Sequence, residues 1–261
     1  MKNRHFKAAS LLLVGLAMIS FMPKDAVTLR LKPEQGKTYT VTSKANAMTM
    51  MEVQGQTMNM NQVYETKQSF TAKEVNDQQS VIESQIDAMK ITISQMGMKL
   101  EYDSEHPEKT SPMLADQASA LSESLKKPVT ITYDALGNQV GDSIDAFSSQ
   151  LKDIILQLPE KPLSVGDKWT SKKTQNVSNT DINVNMEYTV TSISKKSIDL
   201  EFTGNVESTE MSGTYNGTAS LDPKTGMVMS GTTKSNVSMT MNEQGLSIPM
   251  TIVGNSTIEV K

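Results

Sequence analysis

The chain has 261 residues, a formal charge of −4, nineteen methionines, no cysteine, and only five Phe, six Tyr and one Trp. That length supports a real hydrophobic core, and the lack of cysteine excludes disulfides, thiolate metal sites and a lipid-modified cysteine. An acidic chain without basic clusters interleaved with aromatics is a poor match to nucleic acid, and no polybasic stretch points to a membrane surface.

Residues 1–26 read as a secretory leader: Lys2, Arg4 and Lys7 precede an uncharged apolar run from Ala8 to Met22 that is too short to span a bilayer comfortably. The expected product is exported, periplasmic or extracellular, with membrane contact only through an uncleaved leader. Removing this stretch takes away Lys2, Arg4, Lys7, Lys24 and Asp25 and moves the formal charge from −4 to −7. Without cysteine, an exported fold must stand on its core alone.

From Thr38 onward polar and apolar residues alternate in runs bounded by Gly, Asn and Asp, the period of half-buried antiparallel strands. Such runs are TYTVTSKA (38–45), MNMNQVYETKQSFTAKEV (58–75), INVNMEYTVTSI (182–193), SIDLEFTGNV (197–206) and NSTIEV (255–260), with turn signals at VNDQ (75–78), DPKTG (222–226) and NEQG (242–245).

Two stretches break this alternation. SPMLADQASALSESLKK (111–127) offers Ser111 as an N-cap and Pro112 in the first turn, with Leu114, Ala118, Leu121 and Leu125 on one stripe. GDSIDAFSSQLKDIILQLP (141–159) aligns Ile144, Phe147, Leu151, Ile154, Ile155 and Leu158. The spacing predicts helices near 112–126 and 142–157, with a strand and a tight LGN turn between them.

The connector LPEKPLSVGDKW (158–169) separates an N-terminal β unit plus two helices, residues 27–158, from a C-terminal antiparallel β unit, residues 159–261. The two are expected to form one continuous module. Weak echoes between the halves, such as GKTY (36–39) with GDKW (166–169), fit either a duplicated β unit or chance likeness of alternating text. The fold class is mostly β (α+β): a curved antiparallel sheet, or two related half-barrels, with two amphipathic helices packed on the concave side.

Methionines recur at i, i+2 in five pairs: Met48/Met50, Met58/Met60, Met96/Met98, Met227/Met229 and Met239/Met241. On a strand this spacing places both side chains on one face. That face is either core, with methionine as unbranched filler, or the lining of a groove for an apolar ligand such as a lipid or acyl chain, or a soft site for Cu(I) or Ag(I). Met48, Met50, Met58, Met60, Met239 and Met241 are the candidate ligand-binding residues. An envelope scaffold that binds other proteins through its sheet edges is the rival from another class.

His106 is the one histidine outside the leader, and with Asp103, Glu105 and Glu108 it could surround a hard cation or simply sit in a solvated loop. Neither a calcium-loop spacing nor a paired-histidine motif is present. The chain also lacks a G-x-S-x-G elbow, a phosphate-binding glycine loop and any cysteine nucleophile. The reading is therefore a non-enzymatic protein without a cofactor or a metal.

The connector LPEKPLSVGDKW, the segment YDSE (102–105) and YDALGNQV (133–140) together resemble an uncharacterised family of exported bacterial proteins common in the Bacteroidetes. The resemblance implies a leader and a C-terminal β region and brings no catalytic residues; many members bear a lipobox cysteine, which this chain lacks. A curved sheet with helices on one face is also distantly similar to the half-barrels of periplasmic lipoprotein carriers, a likeness of fold.

Overall fold

The computed structural model describes residues 26–261 apart from 54, 126, 142–153, 178–179 and 244–245. Twelve strands account for most of it: β1 (Thr38–Val53), β2 (Gln56–Val75), β3 (Gln79–Gln95), β4 (Met98–Asp103), β5 (Val129–Asp134), β6 (Gln139–Val140), β7 (Lys168–Val177), β8 (Thr180–Ile193), β9 (Ile198–Glu207), β10 (Met211–Leu221), β11 (Val228–Glu243) and β12 (Leu246–Val260). The strand-like runs read from the sequence fall inside these elements, apart from Ser197 just ahead of β9. One α-helix, α1 (Ala115–Leu125), follows a 3₁₀ turn at Pro112–Leu114.

The strands form a single antiparallel sheet in the order β6-β5-β3-β2-β1-β12-β11-β10-β9-β8-β7, with β4 also paired to β3. The halves are joined where β1 meets β12, from Val41 opposite Val260 to Met51 opposite Met250. Of the two expected arrangements, the single curved sheet is the one observed.

Its curvature follows from two hydrogen bonds made by consecutive residues. The Leu158 N–H donates to Leu136 O in the β5–β6 turn at 2.8 Å, and the carbonyl of Gln157 accepts from Trp169 Nε1 on β7 at 2.9 Å. β5 and β7 are nine strand spacings apart, about 43 Å in a flat sheet, whereas neighbouring Cα atoms stand about 3.8 Å apart. The sheet must therefore curl until residues 157–158 bridge its two sides. Among the described residues no strand pairing closes the ring, so the result is an open, curved sheet.

The bridging chain belongs to a plug of three segments that fills one end of the curl. Val27 and Leu163 exchange both backbone hydrogen bonds at 2.8 Å, Lys32 N–H donates to Thr225 O, and Val228 N–H donates to Ile154 O. Leu29, Leu31, Ile154, Ile155, Leu158 and Met227 are essentially buried there against Tyr39, Phe70, Ile82, Tyr188, Leu200 and Leu221 of the sheet. Gly137 sits in the LGN turn at φ +78°, where an added Cβ would also run into the Leu156 carbonyl. Only glycine meets both demands.

The helices need correction. α1 does pack on the inner face, its Leu121 and Leu125 meeting Ile86, Met89 and Tyr102 of β3 and β4. Ser111, however, makes no side-chain cap bond; its Oγ accepts from Glu101 N–H at 2.9 Å and its N–H donates to Glu101 O, so it covers the free edge of β4 instead. Most of the second expected helix, 142–153, lies outside the described residues, as does the leader up to residue 25. Where that segment resumes, Ile154 and Ile155 are in a turn and deliver their side chains to the core.

Candidate functional site

Strand alternation assigns every sheet residue to one of two faces. The inner face carries the plug and holds Tyr39 and Val41 of β1, Phe70 of β2, Ile82 of β3, Leu221 of β10 and Val260 of β12. Following register across the sheet, inner positions of β1–β6 and β8–β12 contain no Asp, Glu, Lys or Arg among the described side chains. Lys173, on edge strand β7, is the inner charge among them. The outer face holds the strand charges, including the cross-strand pairs Lys44–Glu65 at 2.7 Å and Lys168–Glu187 at 2.9 Å. Such exposed pairs contribute little stability; what matters is that, Lys173 apart, the charges of the described strand side chains gather on the outer face.

The plug covers only one end of this inner face. Toward the other end the inner lining passes through small residues, Ala45, Ala47, Gly254 and Ser235, and then reaches a row of methionines. Met58 of β2 stands opposite Met51 of β1, Met51 opposite Met250 of β12, Met250 opposite Met239 of β11, and Met239 opposite Met211 of β10. Five adjacent strands thus present five thioethers in one cross-strand row, each half-buried. Directly opposed side chains of an antiparallel pair lie about 5 Å apart at Cβ, so the row is a continuous, deformable apolar band.

The sequence-derived candidates divide. Met58, Met60, Met239 and Met241 lie on this inner face. Met48 and Met50 lie on the opposite one: their register partners are Asn61 and Val253, and Asn59 and Thr251. Without a bulge in β1, a residue at an even position cannot share the face of Tyr39 and Val41. Met51, Met211 and Met250 were missed because each stands outside an i, i+2 pair, and only cross-strand register brings them together. The two remaining pairs lie elsewhere. Met96 occupies the β3–β4 turn at φ +49° and Met98 begins β4, both exposed, while Met227 and Met229 pack in the core.

Asp103, Glu105, His106 and Glu108 form a loop cap. The Asp103 Oδ1 atom accepts from the backbone N–H groups of Glu105 and His106 at 3.0 and 3.2 Å, while His106 Nδ1 faces Glu108 at 3.3 Å. Among the described residues no three His, Asp or Glu side chains are grouped to hold a metal ion. Two shallow depressions of about 480 and 540 Å³ lie on the outer face. Their walls already satisfy one another, through Lys44–Glu65, Thr218–Thr232 and Ser220–Asp199.

Residues 135–228 match the model of a family of unknown function, DUF6263. The span includes the whole LPEKPLSVGDKW connector, the most distinctive motif behind the resemblance to an uncharacterised family. No curated protein matches the sequence. Among solved structures, one of lipovitellin addressing its lipid–protein interactions aligns with 87% of this chain at a TM-score of 0.51 and 10% identity. The alignment spans 25% of the lipovitellin chain, so the likeness is one of fold over a quarter of that protein. An outer membrane channel from Pseudomonas putida F1 (8% identity, 88% of this chain, 98% of that one, TM-score 0.28) is also similar. So is an outer membrane lipoprotein-sorting protein domain from Vibrio parahaemolyticus (11% identity, 82% and 83%, TM-score 0.18).

Proposed function

We propose that this chain is a non-enzymatic exported protein that holds an apolar molecule, of lipid or acyl type, against the uncharged inner face beyond the plug. The observation that carries the reading is the methionine row Met58–Met51–Met250–Met239–Met211, on a stretch of the inner face where the described side chains carry no charge. A sheet face meant for water ordinarily alternates charged and polar groups, as the outer face here does. Burying a methionine fully is worth about 1.5–3 kcal/mol, so five half-buried ones leave a substantial part of that free energy to be realised by whatever covers them. Thioethers are polarizable and the side chain is unbranched, which suits a ligand of variable shape. The fold likeness to part of lipovitellin agrees with a lipid-type occupant, and the argument for the site rests on the face itself.

Native mass spectrometry of the full chain after incubation with a cell-envelope lipid extract tests the reading. Adducts of lipid mass are expected; unliganded protein alone, across conditions, would sink it. The same five registered thioethers favour a second reading, a soft site for Cu(I) or Ag(I). Anaerobic Cu(I) titration separates the two, because metal binding moves the methionine methyl resonances in the absence of any lipid.

A further inference from the structure

The row has one buried polar neighbour without a partner among the described residues. Thr49 lies on the inner face of β1, directly opposite Met60 of β2 and Ile252 of β12, two residues from Met51. It is only 1% exposed, and among the described residues its hydroxyl has no hydrogen-bond partner. Other buried polar side chains of this fold are satisfied. Gln68 donates to Ser84, Ser80 to Leu31 O, Ser171 to Gln157 and Thr225 to Asp222, and Asp103 accepts from its own loop. A buried hydroxyl left unpaired is destabilising, and a valine would fill the same volume without that cost.

We infer that Thr49 is the specificity-determining polar contact of the apolar site, and that the ligand is a neutral long-chain lipid presenting one hydrogen-bonding oxygen to it. This rests on the apolar-ligand reading above and narrows it. The hydroxyl can donate to an ester carbonyl or accept from an alcohol. A carboxylate is disfavoured at the same place, because the described inner face offers no cation from β1 to β6 or from β8 to β12, and an ionised group taken out of water without a partner is strongly unfavourable. The residues facing Thr49 include unbranched Met60 and Met51, whose rotation can open the way to the hydroxyl and close over a bound chain. The result is an apolar band with a buried polar atom placed beside it, the kind of contact that orients a ligand in a mainly hydrophobic site.

Displacement of Nile red from the full chain by methyl palmitate, palmitate and hexadecane tests this. In the parent chain the ester is expected to bind more tightly than either of the others. Thr49→Val should weaken the ester about fivefold or more, the worth of one net hydrogen bond, and leave hexadecane unchanged; Thr49→Ser should restore the ester. An unchanged ester-to-hexadecane ratio in Thr49→Val, or palmitate binding as tightly as the ester, overturns the inference while the apolar site survives. If none of the three displaces the dye from the parent chain, the apolar-ligand reading falls and this inference falls with it.

Discussion

Met51 and Met250 face each other across the β1–β12 seam, where the first and last strands of the sheet pair. Their register makes one row of what would otherwise be two patches, Met51 and Met58 from the N-terminal strands and Met211, Met239 and Met250 from the C-terminal ones. The apolar band therefore exists only in a molecule whose two halves have joined.

A charge placed in that band should act differently from one placed behind it. Met51→Glu puts a carboxylate on the uncharged face and is expected to lower Nile red binding by an order of magnitude or more. Met48→Glu, three residues earlier and on the outer face, enters a surface that already carries Lys44 and Glu65. It should leave dye binding unchanged and shift stability by no more than about 0.5 kcal/mol. Equal effects of the two variants on binding would refute the assignment of faces.

Glycine-to-alanine changes should separate conformational strain from collision. Gly36 has φ +79° with nothing within 4 Å of an added Cβ, so Gly36→Ala carries only the left-handed cost, about 1–2 kcal/mol. Gly137→Ala adds a collision with the Leu156 carbonyl and should lose clearly more, about 3 kcal/mol or above. Urea denaturation followed by Trp169 fluorescence reads both.

Trp169 stacks on Tyr188 at 4.9 Å between ring centroids and donates to Gln157 O. Trp169→Phe keeps an aromatic ring there but removes the donor that ties β7 to the bridging segment. A loss of about 1 kcal/mol is expected from the missing hydrogen bond, measured by circular dichroism because the variant has no tryptophan. No loss would mean that the bridge does not depend on this bond.

Burial pushes the Tyr133 hydroxyl up to about 12 from the ordinary 10.0. The folded chain then keeps a proton that the unfolded chain releases, so stability is fully present below pH 10 and falls as pH rises from about 10 to 12. Absorbance at the phenolate band should show a late-titrating component that Tyr133→Phe removes, and the same variant should flatten the alkaline decline in melting temperature. A decline of the same size in the variant would assign it to other groups.

Much of the fold was legible because β alternation is a local property. Thr38–Ala45 and Ile182–Ile193 each advertise their strand within a few residues, and the LGN and DPKTG turns mark where chains reverse. The helix over Ala115–Leu125 was equally readable from its leucine spacing. Ser111 was misread as a cap because the competing partner, Glu101 of β4, is distant enough in the sequence to be invisible to a local rule.

The methionine site was only half legible, for a physical reason. Spacing along one strand determines which residues share a face with each other, so Met58 with Met60 and Met239 with Met241 could be paired from sequence alone. It does not determine which face is inside, and Met48 and Met50 fell on the outer one. That choice belongs to the plug: once Leu29, Leu31, Ile154 and Leu158 pack against Tyr39 and Phe70, parity fixes the side of every residue along β1 and β2. Cross-strand register then places Met51, Met211 and Met250 in the row and Thr49 beside them. The periodicity, the leader-like start and the wealth of methionine were written in the sequence; the uncharged face, the five-strand row and the unpaired hydroxyl were decided by tertiary pairing, because they join residues up to about two hundred positions apart.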